Sequence, residues 1–548
     1  MKTRNIILFY LLIPFVVLSC ANEMPSRESA DTIDAAGATI YGRVMCSGSP
    51  LAGVVVSDGV LVTATDRNGI YRLDSEKRNG HVFISLPGGY RMESAIGNSA
   101  SFWRNLKQDR SVPERMDFNL RKETGQENHT MVVMGDIHLY NSKSAAAFRN
   151  TVLPELNDLV SDMAGSVVYG LTLGDMTWDW YWYANDYGIP EYLTEVDRIA
   201  GLTIFNTVGN HDHDMQYDSM SEFNLTGEDW TCQQSYRKQQ GPTCYSYNIG
   251  HVHYISLDDV ITIDTGGTTD KDSRGCWRGV TETDMEWLRQ DLSFVSKDTP
   301  IVVSLHIPLF TAKGSYGSYP KSVNASVAEI TAPFREYENV LFLSAHTHTM
   351  YSNHNMPVEN PEGDMWTVTE WNCGAVCGNF WTTSVKSGLN ICTSGAPGGY
   401  RLLSWNGKTM TAGFKAFGKP DSYAFRSYDR NMMNLPEMEY TDGIWGADDG
   451  NEILINIWDY RPGWKISVKE GTKELPVTRK TSYDPLYMLM YTEGLSDTQP
   501  SRSVNIFSAK ASKAKSTIEI NVTDEFGRTF TERMSRPKEF TIEKYRSE

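Results

Sequence analysis

The sequence lacks any cluster of Lys and Arg dense enough to follow a nucleic-acid backbone, and its 548 residues carry a net charge of -17. Nucleic acid is therefore not an expected partner, whereas a compact anionic ester can still bind at a local cationic or metal site. No CxxC pair with zinc-ribbon spacing is present. Beyond the N-terminal stretch, no apolar run is long enough to span a bilayer. These absences exclude a nucleic-acid-binding protein, a zinc-ribbon protein and a polytopic membrane protein.

The N-terminal stretch MKTRNIILFYLLIPFVVLSC predicts export from the cytoplasm. Two cations precede an apolar run too short for a stable membrane span, and small residues lead to Cys20, as in a secretory signal. The tail VLSC resembles the lipobox of bacterial lipoproteins, which implies cleavage before Cys20 and lipid on its thiol. We therefore expect a lipid-anchored protein of the cell envelope, on the periplasmic side or the outer surface. A plain secreted protein is the alternative.

The length of the chain and its pattern of apolar residues predict several domains. After a signal peptide (1–19) and a linker (20–37), short strand-like runs between turns predict an N-terminal β-sandwich domain over 38–125. Apolar β-rich runs that alternate with helical stretches predict an α/β catalytic domain over 126–415. Strand-like runs then return and predict a C-terminal β-rich domain over 416–548.

Apolar runs of the middle domain end in residues of the kind that bind metal ions. A single run of this kind has an ordinary explanation, such as a Gly-Asp turn or a core histidine bonded to a carbonyl. Five such runs that alternate with helices indicate a shared site instead, because residues at the carboxyl ends of neighbouring strands converge in α/β sheets. The candidate ligands are Asp136, His138, Asp175, Asn210, His306, His346 and His348.

Carboxylate, imidazole and amide side chains together form a mixed oxygen and nitrogen donor set. Such a set suits Mn, Fe or Zn better than Ca or Mg alone. Two divalent or trivalent ions of this kind, held close together, clamp a phosphate and lower the pKa of a bridging water. One carboxylate should bridge both ions. An imidazole beside the ions, bound to neither, should protonate the leaving alkoxide.

The blocks GDIH, GD, GNHD, H and HTH, in this order, resemble the calcineurin-like metallophosphoesterases over about Thr130 to His348. The resemblance implies a central four-layer α/β/β/α sandwich. Flanking blocks such as WNCGAVCGNFWTT and SGAPGGYRLL resemble a bacterial subgroup with a β-domain on each side. The resemblance further implies one metal held by Asp136, His138, Asp175 and His348, and another held by Asp175, Asn210, His306 and His346, with Asp175 as the bridge.

The same resemblance implies roles for residues around the ions. His211 would be the general acid, and Asp212 would orient it, as carboxylates orient imidazoles elsewhere. Many family members have Gly before the last His pair, where this chain has Ala345, and a methyl group is tolerated there if the backbone is not at positive φ. Most rings near the site are explained by core packing, but Trp178 and Trp381 follow metal blocks and are expected to be substrate-binding walls.

These features predict an extracytoplasmic hydrolase of phosphomonoesters or phosphodiesters in which metal-activated hydroxide attacks phosphorus. The expected substrates are phosphate esters, including phosphorylated glycans or lipids of the envelope. The alternative is a glycan-binding envelope lipoprotein with a relic metal site, because β-domains and 14 Trp are common in carbohydrate-facing proteins. A relic should have lost metal ligands, and this sequence has lost none.

Overall fold

The computed structural model describes residues 33–92, 98–215, 228–264, 274–312, 327–435 and 450–548. The predicted signal peptide and Cys20 lie outside these residues. Within the described ranges, no helix is long and apolar enough to cross a membrane.

The N-terminal part consists of two small sheets packed face to face. One sheet has the order β4-β3-β6-β8, and the other has the order β2-β1-β10-β7, with β5 and β9 also paired to β1. Residues alternate between buried and half-buried along β1, so that Ile40 and Val44 reach the core beside Phe118 of β10. The strands β1 to β10 are Ile40–Cys46, Ser49–Pro50, Val55–Ser57, Val62–Ala64, Ile70–Leu73, His81–Ile84, Tyr90–Arg91, Trp103–Asn105, Glu114–Arg115 and Phe118–Lys122.

The central part contains two larger sheets. The first has the order β13-β12-β11-β22-β23 and the second has the order β14-β15-β18-β19-β21-β20, with β16 and β17 forming a separate ribbon. The strands β11 to β23 are His129–Met134, Val167–Leu173, Thr203–Thr207, Tyr245–Ile249, Val252–Ser256, Val260–Asp264, Arg274–Arg278, Ile301–Ser304, Val340–Ser344, Met350–Glu359, Met365–Cys373, Gly399–Asn406 and Thr409–Ala416.

The two central sheets pack against each other and are covered by helices on their outer faces. The rings of Phe205 and Tyr247 stack across the sheets with centroids 3.5 Å apart, and Thr207 Oγ1 donates a hydrogen bond of 2.8 Å to Ser304 Oγ. The helices α1 to α8 are Ser142–Asp162, Trp182–Asn185, Ile189–Val196, Glu228–Cys232, Gln234–Gln240, Glu282–Leu292, Val327–Thr331 and Thr382–Ser387. Helices α1 and α3 share a core with the first sheet, and α6 shares a core with the second.

The C-terminal part is again built of two packed sheets. Their strand orders are β24-β25-β29-β28 and β27-β26-β30-β31. The elements are β24 to β31 at Arg426–Asp429, Glu452–Asn456, Lys465–Glu470, Lys473–Leu475, Val477–Tyr483, Arg502–Lys510, Thr517–Thr523 and Thr529–Ser535, with α9 at Pro485–Thr492 and α10 at Ile542–Ser547.

The C-terminal part is joined to the central sheets by buried polar contacts. The buried Arg401 of β22 forms an ion pair of 2.6 Å with Asp459, and Asn505 Nδ2 donates to the carbonyl of Met350 at 3.2 Å. The predicted fold class, a four-layer α/β/β/α sandwich between two β-rich parts, is therefore confirmed.

Candidate metal centre

Each of the seven predicted metal ligands lies just beyond the carboxyl end of a central strand. Strands β11, β12 and β13 are parallel to one another, as are β15, β18 and β19, so their carboxyl ends meet at one edge of the double sheet. This edge brings together Asp136 and His138 after β11, Asp175 after β12, Asn210 after β13, His306 after β18, and His346 and His348 after β19.

Most of these residues have a left-handed backbone conformation, which is uncommon for residues other than glycine. Backbone hydrogen bonds hold the turns in place, for example from His138 N–H to the Asp175 carbonyl at 2.9 Å. Such a conformation costs about 1–3 kcal/mol per residue and persists where surrounding structure enforces it, often at functional sites. The φ angles are 46° for Asp136, 46° for His138, 51° for Asp175, 65° for His346 and 49° for His348.

Two glycines make the close approach of these turns possible. A Cβ on Gly209 would lie 2.1 Å from the backbone nitrogen of Asp175, and one on Gly174 would lie 2.6 Å from His306 Nδ1. Gly174 also has a φ of 87°. Both glycines, of the GD and GNHD blocks, are thus required by space, and Gly174 also by its backbone conformation. Ala345 is not at positive φ and is fully buried, which agrees with the expectation that its methyl group is tolerated.

One oxygen of Asp175 lies between His138, which follows a strand of the first central sheet, and His306, which follows a strand of the second. Asp175 Oδ2 is 3.2 Å from His306 Nε2 and 3.5 Å from His138 Nε2. The other oxygen, Oδ1, accepts the backbone N–H of His211 at 2.8 Å. A carboxylate held in this way, with histidines on both sides, has the geometry that a bridging ligand requires.

The remaining ligand candidates form two groups around this carboxylate. His306 Nε2 is 2.9 Å from Asn210 Oδ1 and 3.1 Å from His346 Nδ1. His138 Nε2 is 3.1 Å from His348 Nε2, which is 3.6 Å from Asp136 Oδ1. The two groups correspond to the two ligand sets expected from the sequence, although their role in binding metal stays a prediction.

The histidine rings are oriented by hydrogen bonds on the far side from the site. His306 Nδ1–H donates to the Leu173 carbonyl at 2.8 Å, and His348 Nδ1–H donates to the Gly378 carbonyl at 2.8 Å. These bonds direct each Nε2 into the site, where a neutral ring offers its lone pair to a metal ion. Burial acts against a charge on His306, but Asp175 raises its pKa to about 10, so a bound metal ion would displace that proton. Burial lowers the pKa of His348 to about 4 and that of His346 to about 3. Both rings are therefore neutral at neutral pH, as ligands must be.

The donor set fits a pair of cations. Burial, with a further contribution from Asp175, raises the pKa of Asp136 well above its ordinary value, and a neighbouring cation would remove that penalty. Imidazole nitrogens that face one another and two buried carboxylates are the environment expected around Mn, Fe or Zn. Side chains that share a candidate cluster include Asp136, His138 and Asp175 in one group and Asp175, His306 and His346 in another.

A cysteine also approaches this site. Cys377 Sγ lies 3.8 Å from His348 Nδ1, and the side chains of Cys377, His348 and His138 are close enough to share an ion. Burial raises the pKa of the Cys377 thiol well above its ordinary value, and His348 Nδ1 is already bonded to a carbonyl. A neutral thiol in this position packs against the ligand ring.

His211 lies beside the ligands and is held by a carboxylate that the sequence did not single out. Its Nδ1 forms a hydrogen bond of 2.7 Å with Asp179 Oδ1, whose side chain is fully buried. Burial acts against a charge on His211, but Asp175 and the bond to Asp179 raise its pKa above the ordinary value. A protonated imidazole with 16 % of its side chain exposed is suited to donate a proton to a bound ester.

The structure contradicts the expectation that Asp212 orients His211, because Asp179 forms the hydrogen bond to the His211 ring. Asp212 is fully buried, and its carboxylate accepts the backbone N–H groups of Gly209 at 3.0 Å, Thr177 at 3.0 Å and Met176 at 3.3 Å. These donors occupy Asp212 and fasten the turn that carries His211 to the turn after Asp175. Asp212 therefore supports the backbone, and Asp179 is the partner of the imidazole.

The two predicted aromatic walls have different surroundings. Trp178 is half-buried, and its ring centroid is 5.4 Å from that of His138 and 5.5 Å from that of His211. Trp381 is only 1 % exposed and donates its indole N–H to the Ile137 carbonyl at 2.9 Å, so its assignment to the substrate wall is wrong. The preceding residue, Phe380, faces the site instead, with its ring centroid 4.2 Å from that of His348 and 4.5 Å from that of Trp178.

Buried side chains hold the loop that carries His306. Asp259 accepts the backbone N–H groups of His306 at 2.9 Å and Ile307 at 3.1 Å. Glu370 accepts those of Leu309 at 2.7 Å and Phe310 at 2.9 Å. Together these carboxylates fix the position of His306 relative to the other ligands.

These supporting residues were missed because a single sequence gives only weak signals for them. Asp179 lies four positions after Asp175 in MTWDW, which is compatible with a second acid on the same turn. Asp259 and Glu370 are acids next to or within apolar strands, and burial of an unpaired carboxylate is costly unless donors surround it. That cost is the signal that would have identified them.

A double sheet with buried carboxylates and imidazoles at one edge defines a metal-dependent hydrolase. The sequence profile of calcineurin-like phosphoesterase matches residues 129–350, and those of its N-terminal and C-terminal domains match residues 38–123 and 370–530. The chain therefore belongs to the calcineurin-like phosphoesterase family and is a metal-dependent hydrolase of phosphoric esters. None of the curated proteins compared with the chain matches its sequence.

Several solved structures are similar to parts of this chain at low sequence identity. Purple acid phosphatase PPD1 from yellow lupin (Lupinus luteus) is 12% identical over 53% of this chain, with a TM-score of 0.32, and the match spans 51% of its own chain, about half its length. The phosphopantetheinyl hydrolase PptH from Mycobacterium tuberculosis is 12% identical over 46% of this chain and 91% of its own, with a TM-score of 0.27. PhoD is 8% identical over 89% of this chain and 86% of its own, with a TM-score of 0.30.

Proposed function

We propose that the protein hydrolyses phosphomonoesters or phosphodiesters in the cell envelope, with two Mn, Fe or Zn ions held by the seven ligand candidates. The observation that carries this proposal is the complete donor set beside an intact imidazole–carboxylate pair, His211 and Asp179. When bound, the ions supply polarisation of the phosphoryl group and lower the pKa of a water.

The protein's own residues supply the remaining chemistry. His211 donates a proton to the departing oxygen, and Asp179 keeps its ring oriented with the proton on the exposed nitrogen. Trp178 and Phe380 limit access of water to one side of the ligands. Asp175 stays ionised between two histidines, because the charges of His306 and His211 outweigh the effect of burial and hold its pKa well below the ordinary value.

The alternative function, a glycan-binding lipoprotein with a relic site, is not favoured by the site. A relic has no need to keep five ligand residues in a left-handed conformation, and strain of about 1–3 kcal/mol per residue is lost readily once selection for function ends. Phosphorylated glycans or lipids of the envelope are, on this proposal, substrates rather than static ligands.

The test is turnover of 4-nitrophenyl phosphate and of bis(4-nitrophenyl) phosphate with Mn, Fe or Zn added in turn. We expect metal-dependent hydrolysis of at least one of the two esters, and the ratio between them separates phosphomonoesterase from phosphodiesterase activity. His306→Ala is the matched control, because it removes one ligand and should abolish turnover of both. An inactive parent protein that binds two ions and retains its fold would favour the relic.

The location is part of the proposal and depends on the N-terminal sequence. Diacylation of the Cys20 thiol would hold the enzyme at a membrane, close to envelope substrates. Cys20→Ala should release the protein into the soluble fraction or leave the signal peptide uncleaved. Membrane association of the variant equal to that of the parent would contradict the anchor.

A further inference from the structure

Two large aromatic side chains next to the acid are exposed to solvent. Trp180 is 59% exposed and Tyr183 is 61% exposed. Among the described residues, the other large exposed aromatic side chain is Phe294, which lies beyond the carboxyl end of α6, before the amino end of β18 and away from the ligands. Exposed apolar surface is unfavourable in water, and where it clusters it often marks a binding site.

The segment that carries these rings also contains the carboxylate that orients the general acid, His211. Asp179, which orients His211, lies between Trp178 and Trp180. The rings of Trp180 and His211 are perpendicular, with centroids 6.1 Å apart. Any group bonded to the oxygen that His211 protonates must therefore lie close to Trp180.

The exposed Tyr183 and the segment around Trp180 are held in place. Trp182 Nε1 donates to Thr177 Oγ1 at 3.0 Å, and Thr177 Oγ1 donates to the His211 carbonyl at 3.0 Å. Tyr183 donates its hydroxyl to Asp214 Oδ2 at 2.5 Å. A ring that is fixed before the ligand arrives loses little entropy on binding, which favours its use as a stacking surface.

We propose that Trp180, with Tyr183, forms a subsite for the leaving group, and that the natural substrate is a phosphate ester of an alcohol that carries a ring. The ring stacks on the exposed face of Trp180 while its ester oxygen reaches His211. This inference rests on the proposed phosphoesterase function and adds the class of alcohol. A nucleobase and a sugar ring both present the flat apolar face that a Trp recognises.

The experiment compares 2-phenylethyl phosphate with ethyl phosphate, which are both esters of primary alcohols but differ in the ring. If the parent cleaves only diesters, the methyl diesters of the same alcohols replace them. We expect the parent to have a higher kcat/KM for the ring ester by roughly 5- to 100-fold. Trp180→Ala should bring this ratio close to one, mainly through KM. Phe294→Ala, an exposed aromatic change away from the site, should leave the ratio and both rates as in the parent.

The outcomes separate this inference from the proposed function. A parent that hydrolyses both esters equally, or a Trp180→Ala variant that loses both activities by the same factor, would overturn the subsite. A parent that hydrolyses neither ester with any metal would instead count against the phosphoesterase. Adenosine 5′-phosphate and glucose 6-phosphate, compared in parent and variant, then identify the kind of ring, since the preferred one should show the larger loss.

Discussion

Replacement of Asp179 by Asn separates the role of this carboxylate from that of the metal ligands. Asn keeps the size of the side chain but removes the charge that orients and stabilises a protonated His211 at 2.7 Å. General acid catalysis is typically worth about 100- to 10,000-fold, and loss of the orienting carboxylate should remove a large part of it. We expect Asp179→Asn to lower kcat for an alkyl phosphate ester by about 10- to 1,000-fold.

The same change should have little effect on an activated ester. A nitrophenolate is a good leaving group and needs little protonation to depart. The kcat of the variant for the 4-nitrophenyl ester should therefore lie within a few-fold of that of the parent. The assay measures kcat for both esters at saturating metal, with metal content determined for each protein. The Asp179 carboxylate is bonded to His211, which is not a ligand candidate, so full metal content is expected.

Asp212→Asn is the matched control, since it changes a neighbouring carboxylate that accepts the backbone N–H groups of Gly209, Met176 and Thr177 and the Thr177 hydroxyl. It should lower the melting temperature and affect both esters by the same factor. The reasoning would be refuted if Asp179→Asn lost activity equally on both esters with metal retained, or if Asp212→Asn alone produced the selective loss on the alkyl ester.

Two further changes test the site and the fold. Asp175→Asn should reduce metal content at both positions, because Asp175 Oδ2 lies between His138 and His306. If elemental analysis finds two metal ions per chain in the variant, Asp175 does not bridge the two sites. Burial lowers the pKa of His129 to about 4. Between about pH 4 and pH 6.5, this histidine is therefore protonated in the unfolded chain but neutral in the folded protein. The resulting stability is complete above pH 6.5 and is lost towards pH 4, by about 3 kcal/mol at most. His129→Gln should therefore show a shallower fall in unfolding free energy over this range, and identical slopes for variant and parent would contradict the assignment.

The sequence was most informative where strand periodicity and turn chemistry coincide. An apolar run such as MVVM predicts a strand buried on both faces, and β11 is buried along its whole length. The residue types after such a run then indicate a site, because carboxyl ends of parallel strands share one edge. That reasoning predicted the α/β class and brought all seven candidate ligands to one place, whereas the arrangement of two packed sheets was expected from the family resemblance.

The direction of individual side chains could not be predicted in the same way. His211 and Asp212 are adjacent on a tight turn, so their side chains point to different neighbours. The carboxylate that meets His211 comes from a separate segment, and its approach depends on tertiary packing. For the same reason, Trp381 was predicted at the substrate wall where Phe380 lies. Both residues have a positive φ, but the Trp381 ring turns into the core while the Phe380 ring faces His348.

This division between sheet and loop has a consequence for function. The residues that define the reaction class stand at strand ends, where the fold determines their position, and they are the ones that the family resemblance covers. The residues proposed to meet the rest of the substrate, Trp178, Trp180 and Phe380, lie on connecting segments that a shared fold does not determine. Membership of the family therefore establishes the class of bond that is hydrolysed, whereas the aromatic segment after Asp175 is where the choice of alcohol has to be sought.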